Sequence, residues 1–574
     1  MNQADRISAT DAMRSGKDTG CCDVLVVGAG PGGLSAAVAA AQEIKCAVAR
    51  QIEHAKATWQ RSNTAAAIPG AAPRVIVLER EKIPGGILNQ CVHDGFGIVR
   101  YGAQLSGPEY AQIEQEKAVQ SGVRILTDHM VTEIARVDQT PPEAGSPAAS
   151  GQGEPAQLDG GPARASAPAG FAVTAISRSG RQLFHAKAVV LATGCRERTR
   201  GMLSIPGTRP AGIFTAGVAQ NLINRKNIMV GRRVVILGSG DIGLIMARRL
   251  TLEGAEVLCA AEVMAEPTGL ARNVRQCLFD FDIPLYLRTG VSNIFGKDRL
   301  EGVELSQVDE DLKPIPGTER RIDCDTLILS VGLIPENEVA KTAGVALDSK
   351  GGAATDPYLQ TSVPGIFTCG NAREVMDLAD FVSDQGEAAG RNAAAFAEGQ
   401  PLQKWEKNLH NAARKGMPEE GSVTCTLCPK GCQVKIERLS GPAGSEAKDW
   451  IITGNGCPRG AEFARQEMTD PRRILTTTMK VEAGSGWTEG AGEHGAREHL
   501  IPVRSDRPVP LAEMKEIAQT LSRIVLPWPR EGEGQAGSPP ERIRRGQILA
   551  QDIGSNHVNI IAERAWPSEE GRSV

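Results

Sequence analysis

The sequence predicts an α/β protein of two linked sheet modules, followed by a small cysteine-bearing domain. Three observations lead there. Between residue 20 and residue 400, short Val/Ile/Leu runs alternate with helical stretches, the βαβ pattern of parallel sheets covered on both faces. A glycine motif set between a strand and a helix occurs twice, 210 residues apart. After 398–422 the alternation stops, and four cysteines follow in CTLCPKGC (425–432) and NGCPRG (455–460). At 574 residues the chain also exceeds what one core holds.

The first fingerprint is CDVLVVGAGPGGLSAAVAA, in which a buried strand runs into Gly28, Gly30 and Gly33 and then into a helix of small residues. Gly28 permits the tight turn, Gly30 lets a pyrophosphate approach the backbone, and Gly33 lets helix and strand pack closely. The helix then offers unpaired N–H groups to the phosphates. Glu79, in RVIVLER, is the acid expected at the end of the second strand. It lies 46 residues past Gly33, where about 20 is usual. Treating 46–73, which carries no clear period, as an insertion restores the distance.

The second copy, GRRVVILGSGDIGLIMARRLTLEGAEVLCAAE, places Gly238, Gly240 and Gly243 after a strand and Glu262 19 residues beyond Gly243. A carboxylate there accepts from a ribose 2′-OH and repels a 2′-phosphate, so NAD(H) is expected over NADP(H). A Gly-rich turn in an unrelated α/β protein is the bland alternative, and two properly spaced motifs weigh against it.

Composition excludes several classes. Lys plus Arg number 64 against 68 Asp plus Glu, and aromatic residues make up 4%, so neither a basic field nor a stacking platform for nucleic acid is expected. The first 19 residues are polar, read as a disordered N-terminus, and no apolar run is long enough to span a membrane. Thirteen cysteines without an export signal read as reduced thiols or metal ligands in a cytoplasmic protein. Residues 139–170 and 531–541 are Pro/Gly/Ala/Ser-rich and read as loop or linker.

The paired fingerprints resemble the flavoprotein superfamily with two dinucleotide-binding domains, the pyridine nucleotide-disulfide oxidoreductases among them. AVVLATGCRER (188–198) is similar to the strand ending in Ala192-Thr193-Gly194 that returns the chain to the flavin domain. LILSVGLIPEN (327–337), with Gly332, is similar to its counterpart closing the nicotinamide domain. TSVPGIFTCGN (361–371) is similar to the late flavin motif, with Gly370 followed by Asn371 where an Asp usually bonds the ribityl chain. The resemblance implies two Rossmann-like domains, FAD on 20–211 plus 336–400 and NAD(H) on the inserted 212–335. It adds Gly86 and Asp241 to the cofactor contacts, and a helix after Asp380–Ser383 aimed at the flavin pyrimidine. GGILNQC, ATGCRERTRG, IPGTRPAGIFTAG and ILGSGDIGLIMARR resemble one branch closely, the NAD/FAD-dependent oxidoreductases that accompany glycerol-3-phosphate dehydrogenase-type flavoproteins.

Disulfide reductases of this superfamily keep two cysteines beside the flavin, whereas GGILNQCVHDGFG offers Cys91 alone. Cys91 is either a single redox thiol or a small buried residue, the second being the first choice. His93 is either a loop histidine or a proton donor near the flavin.

Cys425, Cys428, Cys432 and Cys457 give three soft ligands in one loop and a fourth 25 residues on. Zinc ribbons favour two C-x-x-C pairs, while three close ligands and a remote fourth suit a [4Fe-4S] cluster. Iron–sulfur is therefore preferred, with zinc and unligated thiols as alternatives. After the linker 401–422, the tail 423–574 resembles a small domain of uncharacterised function that elsewhere is encoded beside this flavoprotein. The reading is an FAD-dependent oxidoreductase that exchanges hydride with NAD(H) and passes electrons through the C-terminal centre, to or from a glycerol-3-phosphate dehydrogenase-like partner. The rivals are a free-standing NADH oxidase or peroxidase using Cys91 with a zinc-stabilised tail, and a non-catalytic interaction protein that keeps FAD as a structural ligand.

Overall fold

The computed structural model describes residues 20–62, 75–137, 170–406, 414–438, 450–482, 499–527 and 543–565. The first sheet begins with β1 (Gly20–Val27), followed by α1 (Pro31–Ser62) and β2 (Val75–Leu78). Helix α2 (Gly107–Gln120) leads into β3 (Arg124–Leu126), β4 (Met130–Arg136), β5 (Phe171–Ser177) and β6 (Gly180–Leu191). The strand order is β3-β2-β1-β6-β5-β4. β1 lies parallel to both β2 and β6, while β5 and β4 add an antiparallel edge. Val24, Leu25 and Val26 are fully buried, as β-branched and aliphatic residues in a strand covered on both faces must be. Each such side chain contributes about 1.5–3 kcal/mol of burial.

The expected insertion at 46–73 needs correcting in its first part: α1 continues through Ser62, so the extra residues lengthen a helix. The remainder of that segment lies outside the described residues, as do 1–19, residues 139–169 of the expected loop, and 531–541. Helix α2 starts at a capping box. Ser106 accepts from the Glu109 N–H (3.3 Å), Glu109 accepts from the Ser106 N–H (2.9 Å), and Pro108 occupies the first turn.

The second sheet is parallel throughout. It comprises β7 (Ile213–Thr215), β8 (Arg233–Leu237), β9 (Glu256–Ala261), β10 (Leu285–Tyr286) and β11 (Thr326–Leu329), in the order β7-β11-β8-β9-β10. Its helices include α3 (Ala216–Lys226), α4 (Asp241–Leu252) and α5 (Ala271–Cys277). The two passages between the sheets, Cys195–Glu197 and Leu333–Pro335, run antiparallel beside each other. The chain then returns to the first sheet as β12 (Ile366–Thr368), parallel to β6, and continues into α6 (Ala379–Ala397). Asp380 and Ser383 lie inside the first turns of α6, a correction to the expectation that the helix follows them. α6 lies directly on α1: a methyl group on Gly386 or Gly390 would stand 2.2 or 2.0 Å from the carbonyl oxygens of Gly32 and Ala36.

The C-terminal region has two parts. A three-stranded sheet of β13 (Val423–Thr424), β14 (Gln433–Arg438) and β15 (Trp450–Thr453) packs with α7 (Pro458–Thr469) around Cys425, Val434, Phe463 and Ala464. A five-stranded sheet contains β16 (Thr476–Val481), β17 (His499–Ser505), β18 (Val525–Leu526), β19 (Ile548–Ile553) and β20 (Val558–Ala562). Helix α8 (Met514–Arg523) covers this sheet, with Met514, Ile517, Ala518 and Leu521 buried at helical spacing. Leu252 of α4 belongs to the same core, which fastens the tail to the second module. Among the described residues no helix is long and apolar enough to cross a membrane.

Candidate functional site

The two fingerprints fold into the same cradle. A methyl on Gly28 (φ 100°) would lie 2.5 Å from the Ala192 carbonyl oxygen, and one on Gly33 would lie 1.9 Å from that of Gly28. Around Gly30 the result is opposite: a methyl would meet no atom within 4 Å. The turn is therefore closed on its inner side and open where a phosphate would approach the N-terminus of α1. Gly86 borders the opening, its own added methyl reaching Gly30 Cα at 3.0 Å. Gly238 (φ 97°) and Gly243 repeat the tight packing against Ser330, at 2.1 Å from its carbonyl oxygen and 2.6 Å from its Cβ. Gly240 is looser, with Ser330 Oγ at 3.2 Å.

The acids repeat as well. Glu79 accepts from the N–H groups of Ala29 (2.7 Å) and Glu81 (2.8 Å). Glu262 accepts from those of Ser239 (2.9 Å) and Met264 (3.0 Å), and from the Ser239 hydroxyl (2.6 Å). Burial raises the Glu79 carboxyl above its ordinary value, against the pull of its two N–H donors. Asp241 is turned elsewhere: it accepts from Leu270 N–H and Asn273 Nδ2, both at 2.8 Å, and so fixes the start of α5. Ser330, which accepts from the Gly243 N–H (3.1 Å), is part of the second cradle and was not singled out from the sequence.

The returns meet at the passage between modules. Thr193 Oγ1 donates to Glu336 O (2.6 Å), Gly194 O accepts from Glu336 N–H (3.0 Å), and Gly332 O accepts from Arg198 N–H (3.1 Å). Gly370 N–H donates to Gln385 Oε1 (2.7 Å), leaving the buried Gln385 Nε2 without a partner among the described residues. Asn371 donates to Cys195 Sγ (3.3 Å) and accepts from Met376 N–H (3.0 Å). The open space at Gly30, the free buried donor of Gln385 and the paired acids fit two dinucleotides.

Cys91 is partly exposed, and its thiol faces Ile87 O (3.3 Å) and Gln220 Oε1 (3.7 Å). Burial pushes it up to about 12, so it is a thiol rather than a thiolate at neutral pH. Burial also lowers His93 to about 4, leaving a neutral imidazole with no acidic proton to give. Neither shift is legible in the sequence, because the burial comes from residues remote along the chain, Gln220 beside Cys91 and Arg248 and Arg272 beside His93.

Cys425 is buried, Cys428 and Cys432 are partly buried, and Cys457 is exposed. Burial, joined by the neighbouring Cys428, Cys432 and Cys457, pushes the Cys425 thiol up to about 11. Cys425 N–H donates to Cys432 O (2.8 Å), and Gly456 packs on Cys432, where a methyl would stand 3.1 Å from Sγ. Gln433, another residue unmarked in the sequence, organises the loop by accepting from Ser422 and Thr424 hydroxyls (both 2.9 Å) and donating to Gly431 O (3.0 Å). Four thiols suit a thiophilic metal, yet among the described residues no group of three or more His, Cys, Asp or Glu side chains is set to hold an ion. The loop docks on the second module: Arg414 N–H donates to Pro429 O (3.2 Å) and Ala271 N–H to Arg414 O (2.9 Å). From there the buried Arg272 reaches the first module, its guanidinium 3.9 Å from Asp94 and against Gly95.

Two glycine cradles, two loop-bonded acids and an inserted second sheet define a protein with two dinucleotide-binding modules. Residues 166–386 match the family described as pyridine nucleotide-disulphide oxidoreductase, and 458–564 match a protein of unknown function, DUF1667. The middle of the chain is thus similar to that oxidoreductase family, and the uncharacterised domain lies behind it. All four cysteines precede the DUF1667 match. The ferredoxin reductase component of chlorobenzene dioxygenase from a Cupriavidus species is 30% identical over 203 residues, 34% of this chain and 46% of that protein. A probable ferredoxin reductase from Castellaniella defragrans is 24% identical over 322 residues, 50% of this chain and 73% of the relative. An NADH oxidase from Methanocaldococcus jannaschii is 31% identical over 178 residues, 28% of this chain and 37% of that protein. The chain thus spans less than half the length of the first and third of these.

Proposed function

We propose that this chain is an FAD-dependent oxidoreductase that exchanges hydride with NAD(H) and passes electrons through a centre held by Cys425, Cys428, Cys432 and Cys457 to or from a partner dehydrogenase, a glycerol-3-phosphate dehydrogenase-like subunit being the first choice. The observation that carries it is the repeated cradle, in which Glu79 bonds Ala29 and Glu262 bonds Ser239 across otherwise unrelated sequence. FAD supplies the exchange between two-electron and one-electron chemistry. The chain's part is to hold and exclude. Gly28, Gly30 and Gly33 with the start of α1 receive one pyrophosphate, and Gly238, Gly240 and Gly243 with α4 the other. Glu79 and Glu262 stand where a ribose would lie, and Thr193, Gly194, Gly370 and Asn371 border the flavin chain. Gly86 and Gly332 line the approach. No side-chain nucleophile is required, which agrees with a Cys91 held as a thiol. The seat of the cysteine loop on α5, one arginine away from the 93–95 loop, supports the C-terminal centre as an exit beside the flavin module. Ferredoxin reductases among the relatives support an electron-transfer role.

The purified chain, measured anaerobically for flavin, iron, zinc and absorbance, tests this. One flavin and about four irons per chain, with the flavin band bleached by NADH, is the expected result. Zinc without iron would favour the oxidase with a structural tail. Flavin that NADH fails to bleach would leave only the interaction protein.

A further inference from the structure

A buried chain of hydrogen bonds joins all three parts of the molecule, and neither nucleotide cradle needs it. It begins at Gln90, beside Cys91 in the first module. Gln90 Nε2 donates to Gly217 O (2.8 Å), Gln90 Oε1 accepts from Asn221 Nδ2 (3.0 Å), and Gln90 O accepts from Asn224 Nδ2 (2.8 Å). All three partners belong to α3 of the second module. Asn224 Oδ1 in turn accepts from Arg249 Nε on α4 (2.9 Å). The other guanidinium nitrogens of Arg249 donate to Thr477 Oγ1 (2.7 Å) and Thr478 Oγ1 (3.1 Å) on β16 of the C-terminal domain, and one pairs with Glu253 (2.9 Å). Gln90, Asn224, Arg249, Thr477 and Thr478 are all buried.

A guanidinium taken out of water is costly unless its donors find acceptors, and here they are shared between two parts of the protein. If the tail shifted, the Thr477 and Thr478 hydroxyls would leave Arg249 donors unmatched, and its bond to Asn224 would be free to move. The seat of the tail and the position of the Gln90 loop are coupled through one side chain. Further contacts reach both modules. Arg504 pairs with Glu109, the capping residue of α2 (3.2 Å), and Arg473 pairs with Asp280 (2.8 Å). Two modules joined by short passages move against each other by default. A third domain bonded to both opposes that motion.

We propose that the C-terminal domain is a clamp that fixes the nicotinamide module against the flavin module, with Arg249 as the positioning residue that transmits its seating to the Gly86–Cys91 loop. The kinetic part of this rests on the FAD and NAD(H) reading above; the mechanical part does not.

The test uses the full-length holoprotein and the double variant Thr477→Val/Thr478→Val, which alters no residue of either module, beside Thr477→Ser/Thr478→Ser, which keeps the hydroxyls. Amide hydrogen exchange in 86–91 and 216–226 should quicken about tenfold in the valine variant, the loss expected for hydrogen bonds to a charged donor. It should stay at the wild-type rate in the serine variant. The limiting rate of anaerobic flavin reduction should fall by a similar factor in the valine variant, with the half-saturating NADH concentration unchanged. Faster exchange confined to 476–481 would overturn the clamp. Faster exchange in 86–91 with an unchanged limiting rate would overturn the positioning role of Arg249. Protein isolated without flavin would sink the flavin reading, and the exchange comparison would still decide the clamp.

Discussion

Glu79 accepts a 2.7 Å hydrogen bond from the N–H of Ala29, the residue that follows the first fingerprint glycine. Glu262 makes the equivalent 2.9 Å bond to Ser239, which follows Gly238. In both modules the acid at the end of the second strand thus holds the glycine turn of the first through bonds within the chain, which keep the turn shaped for a nucleotide. Preforming the site removes an ordering cost from binding.

Replacing Gly30 separates binding from folding. An added Cβ there meets no protein atom within 4 Å, so Gly30→Val should fold with a thermal midpoint near that of the wild type and lose at least nine-tenths of its flavin. Gly33→Val should fail to accumulate as folded protein, because even its Cβ would lie 1.9 Å from the Gly28 carbonyl oxygen. Flavin absorbance per chain and circular dichroism give both answers. Full flavin occupancy in Gly30→Val would contradict the assignment of the first cradle.

Coenzyme choice should follow Glu262. Wild-type kcat/KM for NADH is expected to exceed that for NADPH by at least tenfold, since a 2′-phosphate would meet a carboxylate. Glu262→Ser should narrow the ratio and Glu262→Arg should narrow it further. Equal kcat/KM for both coenzymes in the unaltered protein would rule the assignment out.

Cys91 should behave as an inert thiol. Burial raises it to about 12, so the thiolate fraction at pH 8 is small and grows only as pH climbs toward that value. Its alkylation by iodoacetamide, followed by mass spectrometry, should stay slow at pH 8 and accelerate above pH 10. Cys91→Ala should keep NADH turnover with an artificial acceptor within about twofold. Rapid alkylation at pH 7 would return Cys91 to the list of redox groups.

Much of this was legible in the sequence because its signals are local. Two strand–glycine–helix runs need only neighbouring residues. The length of α1 was not legible: residues 46–62 lack an apolar period, yet they continue a helix already nucleated. Asp241 looked like part of a phosphate loop, and only the fold shows it turned to Leu270 and Asn273. Ser330 and Arg249 act across separations from which no spacing rule could have drawn them together. The shifts at Cys91 and His93 are likewise products of packing between modules.

Whether electrons pass between the flavin module and the four-cysteine loop, as proposed, is tested most directly by Cys428→Ser. On the function proposed above, hydride transfer needs only residues before 400, so NADH should still bleach the flavin and reduce a small artificial acceptor at near-wild-type rates. Iron content should fall, and turnover coupled to the natural partner should drop at least a hundredfold. A variant that keeps both its iron and full partner-coupled turnover would contradict the account.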